Sequence, residues 1–228
     1  LISNFYQGVT TLKLNICRLE LLNIKMKPRD SEKIRGYLGH KYEELDILHN
    51  HKNNKFIYRY PKVQYKIINN KPIILGINDG ANIITNIGIN DDMLIIGDKS
   101  INTFEKKISI NNNEYGISDD YIKYEFLSPW VALNQKNIDI YRNCSDMEKE
   151  EMLKKILIGN IISMSKGLNY TVSDEVKCWV NLKKVDVNIK NIKHTGFMGE
   201  FKVNFSIPDY LGLGKNVSKG FGTIKKCR

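Results

Sequence analysis

Polar and apolar residues alternate over LKLNICRLELLNIKM (12–26), and this period of two predicts a β-strand. KPRDSEKIRGYLGHKYEEL follows; Asp30 or Ser31 can cap a helix that stops near Gly36 and Gly39 or runs to about Leu45. KFIYRYPKVQYKIINN (55–70) is rich in aromatic and β-branched residues and reads as one long strand. NNK is a hairpin turn into PIILGI, DGANIITNIGIND reads as a helix, and MLIIGD and TFEKKISINNNEYGI read as strands. The order β-α-β-β-α-β predicts a ferredoxin-like fold.

The order then repeats. YIKYEFLSPWVALN reads as a strand, and 145–170 holds the strongest helix. It has a Ser145/Asp146 start and an apolar stripe at 153, 156, 157, 161 and 164. KCWVNLKKVDVNIKNIKHTGFMGEFKVNFSIP reads as two strands, with KHTGFMGE partly a turn. The fold class is therefore α+β, two tandem ferredoxin-like halves at 12–120 and 121–228 meeting near Asp119–Tyr121, with a glycine-rich loop at the end. Residues 1–11 carry no charge and no pattern; NFYQG reads as a tag remnant or disordered start, outside the fold.

Charge narrows the function. The chain of 228 residues carries a net +10, of which +3 falls up to Asp120 and +7 after it. Such a surplus favours a polyanion, nucleic acid before an anionic membrane surface. The sequence shows no membrane-length apolar run and no signal peptide, which makes the cytoplasm the default location. Four cysteines without a CxxC pair point to reduced thiols rather than to a zinc knuckle or a redox motif.

LHNHKNNKFIYRYP (48–61) carries the candidate chemistry. The spelling H-N-H is not the nuclease motif of that name, whose residues are scattered over a metal-binding fold. A zinc site would need a third and fourth ligand beyond His49 and His51, and none lies nearby, so no metal is assigned. Histidine titrates near neutrality and serves as acid or base. RNA supplies its own nucleophile, the 2′-hydroxyl, so two adjacent imidazoles suffice to cut it, leaving a 2′,3′-cyclic phosphate and a 5′-hydroxyl. In period two, Tyr58, Tyr60, Lys62, Gln64 and Lys66 share a face too polar for a core, fit to stack on bases and contact phosphates. Tyr58 is placed near the scissile phosphate. Lys52 is assigned to RNA, with Arg35 and Arg59 as weaker phosphate contacts. His40 is a rival catalytic residue, and His194, read into a hairpin turn, is ranked last.

GLGKNVSKGFG (212–222) has glycine pairs at Gly212/Gly214 and Gly220/Gly222, with Lys215, Lys219, Lys225 and Lys226 between and after them. Glycines allow tight turns and close approach, and backbone N–H groups in such loops hold anions. The spacing is neither a Walker loop nor a dinucleotide fingerprint. A solvated basic tail is the plain alternative.

Gly212–Leu213–Gly214, five residues, Gly220–Phe221–Gly222 resembles the glycine-rich loop of the RAMP superfamily of CRISPR-associated proteins. IRGYLGHKY, LHNH, FIYRYPKVQYKII and PIILGINDGA, in that order, resemble one branch, the repeat-processing endoribonuclease of subtype I-B systems (Cas six, type b). This resemblance implies two tandem ferredoxin-like folds and metal-independent cleavage of CRISPR precursor RNA within its repeats, giving guide RNAs, with no cofactor. His49, His51 and Tyr58 match the family's catalytic set, whereas His40 stands where the family usually has another residue. CRISPR repeat RNA, single-stranded or weakly structured, is the implied partner, held over a basic cleft between the halves. Other CRISPR effector-complex subunits and a homodimer are both compatible with it. The rival reading is a non-catalytic RAMP subunit that binds RNA without cutting; a general single-strand RNA-binding protein is the third.

Overall fold

The computed structural model describes residues 11–49, 51–52, 55–56 and 59–227, with residues 51, 52, 55 and 56 described by backbone alone. The tag-like start at 1–10 lies outside the described residues.

The first half contains β1 (Leu12–Leu21), α1 (Ser31–Lys41), the short strands β2 (His51–Lys52) and β3 (Lys55–Phe56), β4 (Val63–Ile68), β5 (Lys71–Ile77) and α2 (Asp79–Asn90). A small hairpin of β6 (Met93–Ile96) and β7 (Lys99–Asn102) precedes β8 (Lys106–Phe126). The sheet runs β4-β5-β1-β8, each pair antiparallel, which is the ferredoxin-like arrangement. The second half adds α3 (Gln135–Asn143), α4 (Asp146–Gly167), β9 (Cys178–Ile189), β10 (Ile192–Ser206) and β11 (Ile224–Lys226). Here β11 and β10 flank β8, with β9 outside β10, so the same strand order is built a second time. The first half has α2 after its third sheet strand. The second has the glycine-rich segment in that place.

Strand β8 belongs to both sheets. Tyr115 pairs with Leu12 of β1, and the next residue, Gly116, pairs with Ser206 of β10. Gly116 has φ +141°, and a Cβ there would stand 2.7 Å from the Tyr170 hydroxyl, whose oxygen accepts from the Ile117 N–H at 3.1 Å. The strand runs unbroken through 119–121, so the two strands read from the sequence on either side of that point are one.

Local chemistry explains most elements. Asn69 and Asn70 take positive φ, as a two-residue hairpin turn requires, and so do Lys190 and Asn191 between β9 and β10. KHTGFMGE is therefore strand, not turn, and His194 pairs with Val187 on β10. Helix α4 starts with the expected capping box: Ser145 Oγ accepts from Glu148 N, and Glu148 Oε2 accepts from Ser145 N at 2.8 Å. Its Leu153, Leu157, Ile161 and Met164 are buried against the second sheet. Helix α3 has no fully buried residue, and its Ile138 and Tyr141 pack half-buried against the core.

The halves share a core. Cys17, Leu19 and Leu21 pack with Ile34 and Leu38 of α1 and Ile84 of α2. Leu14, Ile16, Leu75, Ile77 and Tyr115 instead join Phe126, Trp130, Leu157 and Phe201 of the second half. The junction between the sheets is thus filled with side chains, not open as a cleft lined by the polar face of β4.

Candidate active site and nucleic-acid interface

The histidine loop is held at both ends. A 3₁₀ turn at Asp46–Leu48 leads into His49. Arg35 of α1 donates through Nη2 to the His49 carbonyl, and Tyr65 Oη of β4 donates to the Leu48 carbonyl at 3.1 Å. Gly39 makes room for the loop: a Cβ there would come within 3.1 Å of His49 Cβ. At the far end, Arg59 pairs with Asp46 at 3.4 Å, closing the segment on the turn where it began. His51 opens β2 and pairs with Phe56, so the loop contains a two-stranded hairpin. The side chains of His51 and Lys52, and all of Tyr58, lie outside the described residues. His40 is exposed on α1.

Arg35 and Arg59, read as phosphate contacts, therefore anchor the loop. The long strand read over 55–70 is also corrected, since only 63–68 is strand in the main sheet and Pro61 lies in the irregular stretch before it.

Tyr60, Gln64 and Lys66 of the polar face read along 58–66 turn toward another part of the chain. Tyr60 Oη donates to the Gly212 carbonyl at 2.8 Å, and Gln64 Oε1 accepts from Gly212 N at 3.1 Å. Lys66 has no exposed surface, and its Nζ donates to Thr223 Oγ1 at 3.1 Å. Lys62 pairs with Asp79 at 2.8 Å. Burial pushes the Tyr60 phenol up, so it stays a donor, and burial pulls the Lys66 ammonium down to about 7. A row of polar residues reads as solvent-facing until the partner surface is known, and here the partner is 148 to 157 residues further along the chain.

That partner is the glycine-rich segment. Gly220, at φ +89°, brings its backbone against β4, where a Cβ would stand 2.9 Å from the Tyr65 carbonyl. Gly222, at φ +61°, lies against the backbone of Leu213, where a Cβ would run into that carbonyl. Gly212 packs on Val217, and Gly214 on Trp130. The glycines are thus required by close approach of protein to protein. Lys219 is also committed: its Nζ pairs with Glu32 at 3.0 Å, and its carbonyl accepts from Ser31 Oγ at 2.7 Å. Lys215 Nζ donates to the Leu133 carbonyl at 3.1 Å. Lys226 is exposed on β11 beside half-exposed Lys225. Ser31 was read only as a helix cap, and Glu32 and Thr223 were not singled out; nothing local marks these contacts, because their partners are distant in the chain.

Gly222→Ala should accordingly destabilise the protein by about 2–4 kcal/mol, through strain at positive φ and a backbone collision. A chemical-denaturation curve within 0.5 kcal/mol of the parent would contradict this packing.

Helix α1 connects the two features. Its first turn holds Lys219 of the glycine-rich segment, and one turn later Arg35 holds His49. Among the described residues no group of three or more His, Cys, Asp or Glu could hold a metal, and no helix is long and apolar enough to cross a membrane.

Two family models match in tandem, the Cas6b N-terminal domain over residues 12–114 and the Cas6b C-terminal domain over 116–227. Their boundary falls at the point in β8 where its pairing passes from β1 to β10. A crystal structure of Cas6b is 44% identical, with a TM-score of 0.90, over 95% of this chain and 100% of its own. A second, described as the CRISPR RNA processing endoribonuclease Cas6b, is 40% identical with a TM-score of 0.78 over the same shares. An uncharacterized protein, MJ0978, of Methanocaldococcus jannaschii is 50% identical over 112 residues, 49% of this chain and 76% of its own. Structures at lower identity share the fold, among them a type IV CRISPR RNA endonuclease at 11% with a TM-score of 0.57 over 95% of this chain and 100% of its own. With matches that run from 12 to 227 and structures of 40% and 44% identity along nearly the whole length, the chain belongs to the Cas6b family.

Proposed function

We propose that this protein is an endoribonuclease that cuts CRISPR precursor RNA within its repeats, by metal-independent attack of the 2′-hydroxyl on the adjacent phosphorus. One imidazole of the pair His49 and His51 takes the 2′-hydroxyl proton as the oxygen bonds to phosphorus. The other gives a proton to the 5′ oxygen as the P–O5′ bond breaks. The products are a 2′,3′-cyclic phosphate and a 5′-hydroxyl. Tyr58 orients or stabilises the phosphorane. The observation that carries this reading is the double anchoring of the His49 loop on α1 and β4, the same two elements that receive the glycine-rich segment. Catalysis by positioned acid and base needs that kind of fixed loop. The N-terminal half, 12–120, supplies the histidines, and the C-terminal half, 121–228, supplies the glycine-rich segment and the larger cationic surplus.

The test is cleavage of an end-labelled repeat RNA in EDTA, with a second substrate carrying a 2′-deoxy nucleotide at the cut position. The parent is expected to cut the first and not the second. Cutting of the deoxy substrate would overturn 2′-hydroxyl attack. Tight binding without cutting of either would replace the enzyme by a non-catalytic RNA-binding subunit.

A further inference from the structure

A cavity of about 490 Å³ opens in the second half of the molecule, well inside the size range of small-ligand sites. Three separate stretches build it: the segment from Val131 into α3, the β9–β10 hairpin, and Lys215 with Asn216 of the glycine-rich segment. Buried Val131 and Leu133 form an apolar floor. Ile192, at the start of β10, lines the rim although it is 62% exposed. Arg142, Lys184, Lys193 and Lys215 bring four cations to the same space, against the one lining carboxylate, Asp186. His194 also lines it. Arg142 is held only by an exposed pair with Asp139 at 3.4 Å, which leaves its guanidinium able to turn to another anion. The Lys215 ammonium is partly desolvated and meets a neutral carbonyl, so a phosphate oxygen would be the stronger acceptor.

An apolar floor under a cationic rim matches one chemistry in particular: a base lying on aliphatic side chains with its flanking phosphates on lysines. We propose that this cavity is a second RNA subsite, which takes one unpaired nucleotide of the bound RNA, base against Leu133 and Ile192 and phosphates on Lys184, Lys193 and Lys215. The inference rests on the RNA-cleavage reading above for the identity of the RNA. Lys215 stands four residues before the Lys219 that docks on α1, so the glycine-rich segment touches both the cavity and the helix that holds His49.

The double variant Lys184→Glu/Lys193→Glu tests it, with Lys183→Glu/Lys190→Glu as a control of equal charge change outside the cavity. Both pairs are exposed, so folding is retained and is checked by a thermal melt. The probes are labelled hexauridylate and a CRISPR repeat RNA, read by fluorescence anisotropy at several salt concentrations. The expected result is a rise in Kd of about tenfold or more for both probes. The salt slope should fall by about 0.7 per lost phosphate contact. The control pair should move Kd much less. Equal effects from the two pairs, or none from either, would overturn the subsite. So would binding of a hexaglutamate peptide at this cavity with no effect on hexauridylate. Loss of hexauridylate binding in a protein that proves unable to cut repeat RNA would keep the subsite and remove the nuclease.

Discussion

His51→Ala is expected to lower the single-turnover rate of repeat cleavage by about 10²–10⁴-fold, the span usual for loss of one positioned acid or base. RNA affinity should stay within a few-fold, because a single imidazole adds little to binding carried by the cationic surface. The separation matters, since a variant that lost binding and rate together would show only a distorted RNA surface. His51 opens the hairpin β2–β3, inside a segment anchored at the His49 carbonyl by Arg35 and closed by Arg59 on Asp46. That anchoring makes the substitution local. With one histidine as acid and the other as base, the parent's rate should be bell-shaped in pH, and the variant should keep a single limb. An unchanged rate for His51→Ala would remove this residue from the chemistry and return attention to His49 and His40.

The second large effect is on stability. Lys66 is wholly buried, with the Thr223 hydroxyl as its hydrogen-bond partner and burial lowering its pKa to about 7. An unfolded lysine titrates near 10.4. Between these values the unfolded chain binds more protons than the folded one, so stability rises with pH across that window. Below about pH 7 both states are charged and the desolvation penalty is fully present; above about 10.5 both are neutral and it is gone. Lys66→Met keeps the stem's volume and removes the charge, while Thr223 Oγ1 retains its bond to the Gly220 carbonyl at 3.0 Å. Replacement of a buried charge by a matched apolar group stabilises by about 1–4 kcal/mol in comparable cases. The gain should be largest at pH 6–7 and shrink toward pH 10. Urea titrations of both proteins at pH 6, 8 and 10 would read it. A variant less stable at every pH would mean that the ammonium contributes more to the joint with the glycine-rich segment than its burial takes away.

The second prediction turns on a contact across the junction, where the sequence is least legible. Elements built from neighbours in the chain could be read directly. The Ser145–Glu148 box, the stripe from Leu153 to Met164 and the Asn69–Asn70 turn each depend on residues a few places apart. Helix α3 escaped because it has only nine residues and sets only Ile138 and Tyr141 against the core, too short a stretch for its periodicity to stand out. Strand β8 was read as two because each half pairs with a different neighbour.

The same division holds for the site. Residue types and their order alone determined a basic chain, a His–x–His loop, paired glycines and a twice-repeated strand order. Tertiary structure decided which of those residues remain available to RNA. Tyr60, Gln64 and Lys66 face the glycine-rich segment, Lys219 is spent on Glu32, and Arg35 holds a carbonyl instead of a phosphate. The physical reason is that a hydrogen-bonding group is satisfied equally well by water, RNA or another part of the chain. Only closure of the chain, bringing 212–223 against β4, selects among them.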